Sequence, residues 1–151
     1  MFCAPIKCLH IARKIFLKGV GLMGIVKSMP EGAKQHATAG PYSPVLEVRC
    51  EKLVVISGQV AVDSCGKVIG NTIEEQTRAT LENCKTQLDY AGCGLKDVFK
   101  VNIYLSDLEQ WEAMNVVYTE MMPEPRPVRT AVQAALLPGY IIEMEMWAAK
   151  E

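Results

Sequence analysis

Two stretches near the C-terminal end carry side chains that could grip and hydrolyse a small acid. In "RPVRTAVQAA", Val128, Thr130, Val132 and Ala134 alternate with Arg129, Ala131, Gln133 and Ala135, the two-residue period of a β-strand. Arg129 falls near the start of that strand, where a guanidinium is costly unless it is solvated or paired. In "IIEMEMWA", Glu143, Glu145 and Trp147 share one face, and Ile142, Met144 and Met146 the other. An arginine in a partly apolar site suits a bidentate grip on a carboxylate. A glutamate in the same site can accept a proton from water or hand one to a substrate. Each residue alone also has an ordinary reading, as a surface glutamate or as half of an Arg129–glutamate ion pair.

Two loops could complete such a site. "GPYSP" carries Tyr42 in a rigid turn, and "ISGQV" puts Ser57 and Gly58 at a strand end where the backbone bends or is closely approached. Serine nucleophile chemistry is disfavoured, because beyond the first thirty residues the only histidine is His36. The six cysteines show no C-x-x-C spacing and no neighbouring histidine, so no metal site is expected. A chain able to build its own core needs no disulfide framework, and reduced, mostly structural thiols are expected.

The elements that must hold these residues are legible from period and punctuation. "PVLEV" and "KLVVISG" read as a hairpin, and "QVAVD" and "KVIG" flank a second turn at "SCG". "TIEEQTRATLENCKTQLDYAG" reads as a helix, with a Thr72–Glu75 capping box, a stop at Gly92 and a buried stripe of Thr77, Leu81, Cys84, Leu88 and Ala91. "FKVNIYL" is a strand. Asp107, with Gln110 three residues on, opens a second helix whose apolar face is Leu108, Trp111, Met114 or Asn115, Tyr118 and Met121, ending at Pro123. The arginine and glutamate strands follow. The order βββαβαββ predicts an α+β fold, one mixed sheet with two helices on one face. Strands such as "LVVIS" are apolar on both sides, so the second face predicts self-association.

Half of the 151 residues are hydrophobic, enough for one ordinary domain, and no segment is long and apolar enough to span a bilayer. Of sixteen basic residues, five (Lys7, Arg13, Lys14, Lys18, Lys27) lie in the first thirty, which hold no acid; the rest of the chain sets eleven bases against seventeen acids. Such an acidic body is a poor partner for phosphate backbones, so nucleic acid is not the expected ligand. Residues 1–29 are expected to be a leader and 30–151 the domain. As a helix, the leader puts Lys7, His10, Lys14 and Lys18 opposite Leu9, Ala12, Ile15 and Phe16, the pattern of a mitochondrial presequence apart from having only one serine. A secretory signal, interrupted by Lys18, and a plain solvated extension are the alternatives. Met23 and Met29 offer internal starts that would give a cytosolic form.

Read together, "GPYSP…ISGQV…AGCGLKDVFKVNIYLSDLEQWEAMNVVY…RPVRTAV…IEMEMWA" resembles the Rid family, the reactive intermediate deaminases, and within it the animal branch also described as heat-responsive protein or translation inhibitor. The likeness covers residues 30–150. It implies a chorismate-mutase-like fold, a homotrimer with ligand clefts between subunits, and cofactor-free hydrolysis of enamines and imines such as 2-aminoacrylate to 2-keto acids and ammonia. It implies Arg129 as carboxylate clamp and Glu143 as the group that positions or activates water. The chain between Pro138 and Glu143 is one residue shorter than is usual in the family, which keeps Glu145 as second candidate. By the same resemblance Tyr42, Ser57, Gly58 and Asn115 line the substrate cleft. Ala131 stands where some bacterial members have cysteine, leaving only its backbone carbonyl to hold water, and Pro44 replaces a more usual glutamine. Three rival functions accompany the resemblance: a non-catalytic binder of keto or fatty acids, an endoribonuclease or translation inhibitor, and, on fold analogy alone, a chorismate mutase.

Overall fold

The computed structural model describes residues 26–36 and 40–150. The expected leader helix, with Cys3 and Cys8, lies outside the described residues. Helix α1 (Ile73–Tyr90) opens on the expected box: Glu75 N donates to Thr72 Oγ1 at 3.3 Å, and the Glu75 carboxylate accepts from Thr72 N at 3.3 Å. It closes at Ala91, followed by Gly92 at φ 71°, a conformation glycine adopts without strain. Thr77, Leu81, Cys84 and Leu88 are buried as expected and are joined by Ile73, Gln76 and Thr80, whereas Ala91 at the cap is half-buried.

Helix α2 (Trp111–Met121) differs from expectation at its start. Asp107 caps Glu109 N at 2.9 Å without Gln110, and a 3₁₀ turn, Leu108–Gln110, precedes the helix. That tighter turn, with about 3.0 residues per turn, shifts the phase of the apolar stripe. Leu108 is therefore exposed; within the helix Met114, Val117 and Tyr118, with Met122 just beyond, form the buried face, and Met121 is half-buried. Met122 turns extended before Pro123, as the proline ring requires.

The strands are β1 (Val26–Ser28), β2 (Glu47–Arg49), β3 (Lys52–Val60), β4 (Val98–Leu105), β5 (Val128–Gln133) and β6 (Ile142–Lys150). The order is the expected βββαβαββ, but its first strand, β1, lies in the expected leader, and the expected separate strand at "QVAVD" is absent. "KLVVISG" and "QV" form one strand, β3, and β2 pairs with β1 as a separate antiparallel ribbon instead of making a hairpin with β3. β3 finds a nine-residue partner in β6, where Ile56 pairs with Met146, so the three-residue β2 is left to another strand. The turn at "SCG" is present, closed by a Val62–Val68 bridge and by Asp63, which accepts from Cys65 N and Lys67 N at 2.9 Å. Folded chain thus begins at least as early as Val26. Lys27 secures β1, its Nζ donating to Lys96 O at 3.0 Å and Val98 O at 2.9 Å.

The main sheet runs β3-β6-β4-β5; β4 and β5 are parallel, joined across α2, and the other pairs are antiparallel. Val98, Val101, Ile103, Leu105, Ile142, Met144, Met146 and Ala148 face the helices and make the core. On the opposite face alternation places Asn102 and Tyr104 of β4, Thr130 and Val132 of β5, and Glu143, Glu145 and Trp147 of β6. There Leu53 and Val55 are 65% and 61% exposed, as the pattern of "LVVIS" predicts.

Candidate functional site

Arg129, on edge strand β5, points to the helix side of the sheet and is only 9% exposed. α2 presents Trp111, Asn115 and Tyr118 to it, at i, i+4 and i+7 on one helical face. The guanidinium carbon lies 4.7 Å from the Trp111 ring centre, 4.6 Å from Tyr118 and 5.5 Å from Tyr42. The Gly40–Pro44 loop is held over β5 by Ser43, which donates from Oγ to Arg126 O and from N to Pro127 O.

Hydrogen bonding of the guanidinium is lopsided. Nη1 donates to Asn115 Oδ1 at 2.8 Å, whereas Nε and Nη2 are buried with no hydrogen-bond partner among the described residues. Nε and Nη2 form one edge of the planar fork, the edge a carboxylate bridges with two parallel bonds. Leaving these donors unmet in an apolar setting costs about 1–3 kcal/mol, more for a charged group. Burial pulls the Arg129 pKa down from its ordinary value, and burial pushes that of Tyr118 up. The Tyr118 hydroxyl is itself buried without a hydrogen-bond partner among the described residues.

Glu143, Ser57 and Gly58 gather elsewhere. The β3–β6 register slips between Ile56 and Gln59, so Ser57 and Gly58 form a bulge, whose carbonyls accept from Gln59 Nε2 at 3.0 and 3.2 Å. The Glu143 side chain leans over the bulge onto Gly58. Glu145, two residues on, leans the other way. Its Oε1 accepts from Asn102 Nδ2 and from the Tyr104 hydroxyl, both at 2.9 Å, and that bond raises the tyrosine's pKa. The glutamate carboxylates therefore differ: that of Glu145 is engaged, and that of Glu143 makes no hydrogen bond among the described residues.

The expected site residues thus form two groups. Tyr42, Asn115 and Arg129 come together on the helix side, with Ala131 half-buried two residues along β5 against the core. Ser57, Gly58 and Glu143 come together on the open face. Within one copy the sheet separates Arg129 from Glu143. Trp111 and Tyr118 were read from sequence as helix core, although an asparagine flanked by aromatics at helical spacing already marked a polar spot on that face. Cys50, Cys65, Cys84 and Cys93 are unpaired thiols. Among the described residues no three metal-ligating side chains come together.

Comparison with known proteins adds lineage to this geometry. The family described as endoribonuclease L-PSP matches residues 32–150. The mitochondrial protein mmf2 of Schizosaccharomyces pombe is 40% identical over 129 residues, covering 83% of this chain and all of that one. The human 2-iminobutanoate/2-iminopropanoate deaminase is 30% identical over 126 residues, covering 82% of this chain and 90% of its own. Among solved structures, yeast Mmf1 superposes with a TM-score of 0.63 at 28% identity, covering 75% of this chain and 90% of its own. RidA from an Antarctic Psychrobacter superposes with a TM-score of 0.61 at 32% identity, covering 73% and 93%.

Proposed function

The chain belongs to the endoribonuclease L-PSP family, the group that holds the Rid proteins, and on that premise we propose that it is a cofactor-independent deaminase of 2-imino acids. It takes 2-iminopropanoate or 2-iminobutanoate, formed when 2-aminoacrylate or its methyl homologue is protonated at carbon, and with one water yields the 2-keto acid and ammonia. The observation that carries this reading is the buried Nε–Nη2 edge of Arg129, which has no hydrogen-bond partner among the described residues and suits a carboxylate. Glu143 accepts a proton as water adds to the imine carbon, and returns it to the departing nitrogen. Binding acid and water together in a dry cleft speeds hydrolysis by positioning.

The separation of Arg129 from Glu143 supports a site assembled from two copies, in a homotrimer whose subunits cover one another's open sheet faces. Mitochondria are the proposed location, on the leader and on likeness to mmf2. Endoribonuclease activity gains no support from a body with eleven bases against seventeen acids.

The test adds the full chain to a serine dehydratase releasing 2-aminoacrylate, with semicarbazide trapping whatever enamine or imine survives. Wild type should divert the intermediate to pyruvate before it is trapped, and Arg129→Ala should not, at unchanged oligomeric mass. A fully active Arg129→Ala protein would refute the clamp. No acceleration by wild type, with keto acid still bound, would favour a non-catalytic binder.

A further inference from the structure

Each of the two charged groups in the proposed site rests against a glycine, and neither glycine has a positive φ that would explain its choice. A Cβ at Gly40 would lie 2.9 Å from Arg129 Nη2, 3.2 Å from Trp111 Cζ2 and 3.4 Å from Tyr42 Cε1. A Cβ at Gly58 would fall inside the Glu143 carboxylate, 2.9 Å from its Cδ and 3.2 Å from its Cγ. Real Cβ atoms essentially never come within 3.0 Å of a non-bonded heavy atom of a distant residue, so in both places the charged side chain would have to move. By contrast, Gly32, Gly66 and Gly94 have nothing within 4 Å of the same ideal position.

Arg129 cannot give way cheaply. Asn115 holds its Nη1, and rings of Trp111, Tyr118 and Tyr42 surround the guanidinium. A methyl at Gly40 would turn the fork and misalign the Nε–Nη2 edge. Glu143 has more room, since it projects from the open face and no hydrogen bond from the described residues ties it. A methyl at Gly58 would drive its carboxylate off the bulge, which Gln59 pins from below.

We propose that Gly40 and Gly58 are positioning residues, chosen for space rather than for backbone freedom, with Gly40 setting the angle of the Arg129 fork and Gly58 seating the Glu143 carboxylate. This rests on the deaminase reading for its kinetic consequences, but not for its structural ones. It also moves Gly58 from a wall of the substrate cleft to a support beneath the glutamate.

Two double-mutant cycles test it: Gly40→Ala with Arg129→Ala, and Gly58→Ala with Glu143→Ala, using the full chain and following melting temperature together with kcat and KM for 2-iminobutanoate. Gly40→Ala should raise KM about tenfold or more, through the carboxylate grip, and Gly58→Ala should lower kcat about tenfold or more with KM within about twofold. Gly40→Ala should lower the melting temperature, and most of that loss should vanish once Arg129 is cut back; Gly58→Ala, facing a side chain with room to swing aside, should lower it less, and Glu143→Ala should cancel that smaller loss. Gly94→Ala, with open space before it, should change neither constant. If a single glycine variant fails to fold, recovery in its double variant supports the assignment. Failure of both would trace the glycine to its backbone and overturn it, as would kinetic constants within about twofold of wild type for either single variant. A wild type with no deaminase activity would sink the function, while the melting cycles would still decide whether the glycines seat these side chains.

Discussion

At the scale of the residue, the proposed carboxylate grip depends on which atoms of a buried guanidinium lack partners among the described residues. Arg129→Lys keeps the charge but presents three donors on a single point instead of a planar edge. Its kcat/KM should fall by about tenfold to a hundredfold, mostly through KM, in steady-state kinetics. Asn115→Ala should free Nη1 and let the fork rotate; wild-type kinetics there would show that the rings alone hold it. How much of this was legible in sequence depended on the kind of signal. Arg129 stood out because a charge breaks the strand's apolar company, and Tyr42 and Asn115 could be mapped from the resemblance. Trp111 and Tyr118 could not be told from core residues, since an aromatic on the inner face of a helix looks the same whether it packs on leucine or on a cation. That Glu145 is tied to Tyr104 and Asn102 while Glu143 is not was illegible, because it depends on which way two neighbouring side chains lean.

At the scale of the element, Gln76 joins α1 to the start of β6. Its Nε2 donates to Gly70 O at 3.2 Å and Gly139 O at 2.9 Å, and its Oε1 accepts from Ile141 N at 3.0 Å. Gln76→Ala should cost about 1–3 kcal/mol in urea unfolding, because a buried side chain and its three part-buried hydrogen bonds are lost together. Inside the same helix, burial pushes the Cys84 thiol up to about 12. A raised folded pKa means stability that is complete below the unfolded value, near pH 8.5, and lost as pH rises through the folded value at a rate of about 1.4 kcal/mol per unit. Cys84→Ala should flatten unfolding free energy against pH from about 9 upward, measured by urea titration at each pH. The helices and most strands were legible because period and caps are local. Pairing was not: β2 sits two residues from β3 yet joins β1, since partner choice is settled by competition among distant strands.

At the scale of the whole molecule, the open sheet face sets the terms. Leu53→Asp or Val55→Asp would bury a charge wherever another copy covers that face, and either should shift sedimentation toward monomer. If active clefts draw Arg129 from one copy and Glu143 from another, mixed assemblies of Arg129→Ala and Glu143→Gln chains contain some clefts with both groups intact. Such mixtures, unfolded together and refolded, should regain a measurable fraction of activity that neither parent shows. Parents that stay inactive when mixed would place both groups of each cleft on one chain.

The tether at Lys27 has a consequence for maturation. Any peptidase that trims the N-terminus while keeping the β1–β2 ribbon must cut before Val26, and mass spectrometry of the mature polypeptide should find its first residue at or ahead of that position. Translation begun at Met23 would preserve the ribbon; translation begun at Met29 would discard β1 and Lys27 and leave the Lys96 and Val98 carbonyls without their lysine donor. Starts at Met23 and Met29 would then yield two products unequal in durability, the shorter one turning over faster in pulse-chase.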